Sequence, residues 1–289
     1  MTLNADGSIN LMVGSVDLSA TRTSFAQITA KELGIDPSEV PVTTGDTDSV
    51  AHTDGSGGSR ITYTMGAAVY QACRDVLTQL MARAAERPGV TTEVVEYKDR
   101  VFFAQDIPGK TVPLVDLAVA SVRRGGAIMG KGSATKMQNA TAFATHVADV
   151  EVDPETGKVK LLSYTTFKDA GLAVNSTQVE GQMQGGTVQG IGGALTEGYQ
   201  FDSQGVLLNA SLLDYRMPTA LDLPMIGTEI VEVPASDGPY SVHGVGEVPI
   251  VPPPAAVANA IADATGTRLQ ELLMNPEAVF WTTKKAANK

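Results

Sequence analysis

Cysteine and histidine are scarce in this sequence: one Cys, Cys73, and three His, His52, His146 and His243, in 289 residues. A single cysteine excludes an internal disulfide framework and any iron–sulfur cluster ligated by this chain alone. The three histidines lie far apart, without the spacing of a zinc site, so the sequence offers no metal ligand of its own. Basic residues are also in the minority, 21 Lys and Arg against 32 Asp and Glu, for a net charge of −11. Nucleic acid and anionic membrane would both be repelled. No run approaches the roughly eighteen apolar residues of a membrane helix. The opening MTLNADGSINLMVGSVDLS lacks the basic, then apolar, then small-residue order of a secretory signal, so the expected location is cytoplasmic. It starts almost at once in a strand-like pattern, as a subunit boundary or a truncated reading frame would. P-loop and Rossmann fingerprints, internal repeats and low-complexity tracts are absent as well.

What is present is apolar enough to fold. A 43% hydrophobic share in 30.1 kDa suits one large domain or two of ordinary size. The most organised stretch is GPYSVHGVGEVPIVPPPAAVANAI, residues 238–261, with Glu247 set among Gly244, Gly246 and the prolines that follow. Glycines let the backbone approach a ligand closely, and the prolines stiffen the exit. A carboxylate on such a loop suits a general base aimed at one proton. Read alone, the stretch is more readily a Gly/Pro surface turn with a solvated acid.

Along the chain, the Asp6-Gly7 turn precedes a strand in SINLMVGSVDL. From Thr23 the period becomes helical, with Phe25, Ile28 and Leu33 on one face until Gly34. VPVTTGD reads as a short strand. GSGGSR then leads into a helix reaching about Glu86, and exposed N–H groups at such a junction form an anion site. By itself GSGGSR also reads as a flexible loop. Cys73 reads as a small buried apolar residue. RVFFAQ predicts a strand, Pro108-Gly109 a turn, and VDLAVASVRRG a short helix with a solvated Arg123-Arg124 end. Strands then flank a hairpin turn at 153–157, with Gly157 in the left-handed position, and His146 alternates into that sheet. Residues 177–198 have helical length yet carry seven glycines, each costing about 1 kcal/mol against Ala. A second backbone or a cofactor approaching closely is the physical compensation. LLNASLLDYRMPTALDLP is expected as strand, then irregular coil. Residues 255–273 are expected as a helix interrupted by Gly266.

DAGLAVNSTQVEGQMQGGTVQGIGGALTEGY (169–199), LLDYRMPTALDLP and GVGEVPIVPPPAAVANAI occur in that order. They resemble the C-terminal part of the molybdenum-binding subunit of the xanthine dehydrogenase and aldehyde oxidase family, which includes divided-subunit members such as nicotinate dehydrogenases. The resemblance implies an α+β fold of mixed sheets with packed helices in two molybdopterin-binding subdomains, 1–135 and 136–289, the second carrying the Glu247 loop. It implies a molybdenum centre held through a pterin dithiolene, with the cytosine dinucleotide form as one alternative and no protein side chain on the metal. Gly58, Ser59, Arg60, Thr62, Gln189, Gly190 and Gly246 match cofactor-binding positions, and Glu247 matches the general base of a hydroxylase that draws its inserted oxygen from water. The substrate would be a heteroaromatic ring or an aldehyde. Implied partners are a chain carrying the first part of the molybdenum domain, together with 2Fe-2S and FAD subunits that accept the electrons. Two departures stand out. Residues 17–23 read DLSATRT where the family has glycine and glutamine, leaving Ser19 and Thr21 as donors. Ser241, Val242 and His243 stand where it commonly has a small residue and a lysine. The alternative reading is a catalytically incomplete fragment or a non-catalytic, partner-binding remnant.

Overall fold

The computed structural model describes residues 1–86, 89–104, 109–135, 137–234 and 239–287. Two compact units emerge: Met1–Ala140 with Pro234–Val242, and Thr141–Val233 with His243–Lys289. Each is α+β.

In the first unit, β1 (Thr2–Leu3) and β2 (Ile9–Val13) pair antiparallel about the Asp6-Gly7 turn. Helix α1 (Thr21–Leu33) follows and ends at Gly34, whose φ of 60° closes it. Phe25, Ile28 and Leu33 are buried, as their spacing requires. Strand β3 (Val42–Thr44) joins β2 in parallel. The long α2 (Ile61–Glu86) packs on α1 and buries Val69, Cys73, Val76 and Leu80 along one face. Burial raises the Cys73 thiol to about 12, which makes it an inert core residue. Strands β4 (Val95–Lys98), β5 (Val101–Ala104) and β6 (Thr111–Pro113) form an antiparallel sheet. Gln105 and Pro108, expected to end a strand and open a turn, lie outside the described residues. Helix α3 (Leu114–Arg123) comes next. Then β7 (Ile128–Met129) completes the sheet of order β3-β2-β1-β7.

The second unit is built on the hairpin of β8 (Ala144–Val152) and β9 (Val159–Asp169), which turns at Gly157 with φ 74°. Asp149 pairs with Ser163 and Val150 with Leu161, so Leu162 is an extra residue in the ladder. That bulge resets the alternation and turns Tyr164, Thr166 and Lys168 inward. Helix α4 (Ser176–Leu195) starts at Asn175, whose side chain accepts the Gln178 N–H. Strand β10 (Ile226–Val231) lies parallel to β9, and its IGTEIV alternation escaped the sequence reading. LLN, by contrast, is no strand, and Leu207 makes only an isolated bridge with Phe201. Helix α5 (Pro253–Thr265) begins two residues earlier than expected, because Pro needs no N–H partner in a first turn. Gly266, at φ 68°, ends this helix where an interruption was expected. Helix α6 (Pro276–Ala287) closes the chain. The core joins Leu161, Tyr164, Ile191, Ile226, Val257, Ile261 and Val279.

His146 sits within that sheet as a satisfied core residue, its ring nitrogens 2.9 Å from the Tyr164 hydroxyl and 2.8 Å from Thr166 Oγ1. Burial lowers its pKa to about 4. Between pH 6.5 and 4 the unfolded chain therefore binds the extra proton, so stability is lost as pH falls through that window. The denaturant midpoint should drop across it, and His146→Gln should flatten the drop.

Candidate functional site

The first unit carries Gly58, Ser59, Arg60 and Thr62 on one continuous segment at the entrance to α2. Gly58 and Ser59 are left-handed in succession, with φ 65° and 55°. A side chain at Gly58 would need this rare conformation too, so glycine suits the turn. Space around Gly55, Gly57 and Gly58 is open, with no atom within 4 Å of an added Cβ. Arg60 bridges back over the loop, its guanidinium donating to the carbonyls of Asp54 (2.5 Å) and Gly55 (3.0 Å) and to Thr64 Oγ1 (3.2 Å). The loop is thus braced by its own cation beside the start of a 26-residue helix, whose N-terminal N–H groups and dipole favour an anion.

The entrance to α1 differs. Ser19 and Ala20 are also left-handed, both at φ 57°. Here, however, the Asp17 carboxylate accepts the Arg22 backbone N–H (3.0 Å) and the Thr21 hydroxyl (3.5 Å), and pairs with the Arg22 guanidinium at 2.6 Å. An internal anion already occupies that helix start, and Thr21, one of the two expected donors, is committed to it.

The second unit carries Gln189, Gly190, Gly246 and Glu247. Helix α4 presents two glycine faces with different uses. On one, residues 246–253 run directly against the helix: a Cβ on Gly186 would lie 3.3 Å from the Gly246 carbonyl and 3.2 Å from Pro249. A Cβ on Gly190 would come within 2.6 Å of the Ile250 carbonyl and 2.7 Å of Pro253. Gly190 and the Gly246–Glu247 loop are therefore brought together. On the other face Gly181 and Gly185 are exposed, with nothing within 4 Å of an added Cβ, and the Gln189 amide is exposed with them. Between the faces Thr187 is fully buried and its hydroxyl has no hydrogen-bond partner among the described residues.

Glu247 is exposed, at φ −92° and ψ −24°, and leads into the short 3-10 turn Val248–Ile250. His243 is buried, its Nδ1 3.2 Å from Asp169 Oδ2. Sequence reasoning passed over Lys168 and Asp169 at the end of β9. Simple alternation from Leu161 would have turned Lys168 outward, but the bulge at Leu162 turns it inward, where it is fully buried and depressed to about 8 by that burial. In the first unit, an open glycine loop and a guanidinium at a helix start fit an anionic group; in the second, the exposed Gln189 residue offers an amide that can both donate and accept hydrogen bonds. Among the described residues no group of three or more His, Cys, Asp or Glu is placed to hold a metal ion.

The two glycine faces separate by mutation. Gly190→Ala should destabilise the chain by about 1–3 kcal/mol through overpacking. Gly185→Ala should be neutral or stabilise it by up to about 1 kcal/mol through helix propensity. Chemical denaturation of both variants measures the difference.

Residues 1–224 match the family model of a molybdopterin cofactor-binding domain. The xanthine dehydrogenase molybdenum-binding subunit of Escherichia coli O157:H7 is 31% identical over 97% of this chain and 38% of its own length. The nicotine 6-hydroxylase large subunit of Paenarthrobacter nicotinovorans is 32% identical over 98% of this chain and 36% of its own. Among solved structures, reconstituted CO dehydrogenase from Oligotropha carboxidovorans superimposes with a TM-score of 0.90 at 26% identity, covering 99% of this chain and 37% of that one. The chain thus spans a little over a third of the length of the relatives it matches. It belongs to the molybdopterin cofactor-binding domain family, and corresponds to the C-terminal part of the molybdenum-binding subunit of the xanthine dehydrogenase type.

Proposed function

We propose that this chain forms part of a molybdenum hydroxylase that oxidises a heteroaromatic ring or an aldehyde, with Glu247 as its general base. The observation that carries this reading is the clamped Glu247 loop. An exposed carboxylate stands on backbone held against the glycine face of α4, so the acid can be aimed at one proton. The open loop at Gly58, Ser59, Arg60 and Thr62 would hold the phosphate and pterin end of the cofactor through backbone N–H groups and charge. The Gln189 amide, which donates and accepts at once, suits a pterin edge, while Gly190 and Gly246 keep the backbone close. When bound, the cofactor supplies the redox chemistry and the activation of water. Glu247 takes the proton released as oxygen is transferred to an electron-poor carbon of the substrate. The two subdomains of this reading are 1–135 and 136–289, and the expected setting is the cytoplasm.

Partners follow from the surface of the second unit. Leu212, Leu213, Leu221 and Met225 are 78%, 85%, 98% and 86% exposed, with Tyr199, Phe201 and Leu208 also exposed on the same segment. An apolar stretch of this size marks a contact surface. Its occupant in this reading is polypeptide equivalent to the remainder of the related chains, with 2Fe-2S and FAD subunits taking the electrons onward. The second reading, a catalytically incomplete remnant that binds only protein, is favoured by one observation: Asp17 fills the α1 entrance with the chain's own anion.

In the assembled complex, Glu247→Gln should lower turnover by about 10²–10⁴-fold while molybdenum and pterin content stay unchanged. Undiminished turnover would remove the base assignment, and absence of molybdenum from the wild-type complex would favour the remnant. Leu212→Ser, Leu213→Ser and Leu221→Ser together should abolish co-purification of the larger partner while leaving the unfolding free energy of the isolated chain within about 0.5 kcal/mol.

A further inference from the structure

We infer that Asp169 and His243 form a buried latch that fixes the Glu247 loop, which makes both of them positioning residues for the acid four residues beyond His243. The end of β9 grips His243 by backbone and side chain together. The Ala170 carbonyl accepts the His243 N–H at 2.9 Å. The His243 ring faces the Asp169 carboxylate, Nδ1 to Oδ2 at 3.2 Å, off the line of a hydrogen bond. Both side chains are nearly enclosed, at 6% and 11% exposure. The same carboxylate accepts the N–H groups of Gly171 (3.0 Å) and Val233 (3.2 Å) through Oδ1. The buried Lys168 ammonium donates to the Asp169 carbonyl. Asp169 therefore joins three pieces of chain: the end of β9, the segment leaving β10, and the start of the loop.

The loop needs such a hold. Between His243 and Glu247 lie Gly244, Val245 and Gly246, and two glycines in three residues give a free loop many conformations to lose. Its far side is fixed where Gly246, Pro249 and Ile250 meet α4. Those contacts flank Glu247 on both sides, and the latch fixes the chain that leads into them from His243 through Gly244 and Val245. Placing a carboxylate, an imidazole and an ammonium in near-complete burial is costly unless their geometry is kept. Apolar residues such as the neighbouring buried Val242 and Pro249 would fill that volume without the cost. The chemical group chosen is one that fixes direction as well as volume.

The inference rests on the reading of Glu247 as the base only for its catalytic consequence, and the test separates the two. Hydrogen–deuterium exchange on the full chain should show the amides of 244–248 exchanging roughly tenfold faster in Asp169→Asn and His243→Gln, with β8 unchanged. His243→Lys, which sets a cation opposite Asp169, should recover most of that protection. In the assembled complex, both loosening variants should lower kcat about 10–100-fold at a KM within about twofold and at unchanged molybdenum content. In the Glu247→Gln background neither should lower the residual turnover further, because the group they position is gone. Unchanged exchange at 244–248, or an equal loss of kcat in both backgrounds, overturns the latch. If Asp169→Asn unfolds, His243→Gln and His243→Lys decide the question alone. Should Glu247→Gln turn over normally, the base assignment falls while the exchange result still decides the latch.

Discussion

The contact between the backbone of residues 246–253 and the glycine face of α4 is the constraint on which the second unit depends. Two main chains approach so closely that the distance from the helix at Gly190 to the Ile250 carbonyl leaves no room for a methyl group. Such an approach requires glycine on the helix and favours proline on the opposing segment, since proline fixes φ and presents no N–H that would go unsatisfied. The cost falls on α4, whose own propensity is poor. Tertiary packing offsets it: Met183, Ile191 and Ala194 are buried with essentially no exposure. The helix exists because of what is packed on it, and the packed segment keeps its course because of the helix.

Charge is distributed to match. Acids and bases that organise backbone are enclosed, as at Asp169, Lys168 and His243, whereas Glu247, Gln189 and the glycine loop before α2 are exposed. Arg60 stands between these classes. It braces its loop through carbonyls and so holds a positive centre beside a helix start without a long side chain sweeping free.

Sequence pattern revealed the elements that follow a single period. The Phe25–Ile28–Leu33 face, the stop at Gly34 and the turn at Gly157 rest on local rules and appear where those rules put them. The excess of glycine in α4 correctly signalled a close neighbour. Which glycines meet it could not be read, because that depends on the facing segment: Gly186 and Gly190 do, and Gly181 and Gly185 do not. Strand β10 was missed for a similar reason, its pairing with β9 spanning some sixty residues with α4 between. The bulge at Leu162 shifts the inward phase within β9, and so hid the buried lysine from a reading by simple alternation. Gly266 was seen, but a left-handed glycine ends a helix more readily than it interrupts one.

Tyr240 brings a last consequence. Its hydroxyl donates to Glu32 at 2.5 Å, its ring lies edge-on to Tyr70, and Lys31 sits 4.9 Å above it, all within the first unit. The partners Glu32 and Tyr240 are 208 positions apart. During synthesis, α1 and α2 can pair early, but the docking place for Tyr240 stays bare until some two hundred residues beyond Glu32 have been made. Such high contact order slows closure of the first unit. It also ties completion of that unit to emergence of the segment bearing Glu247, so the two halves mature as an interleaved pair instead of one after the other.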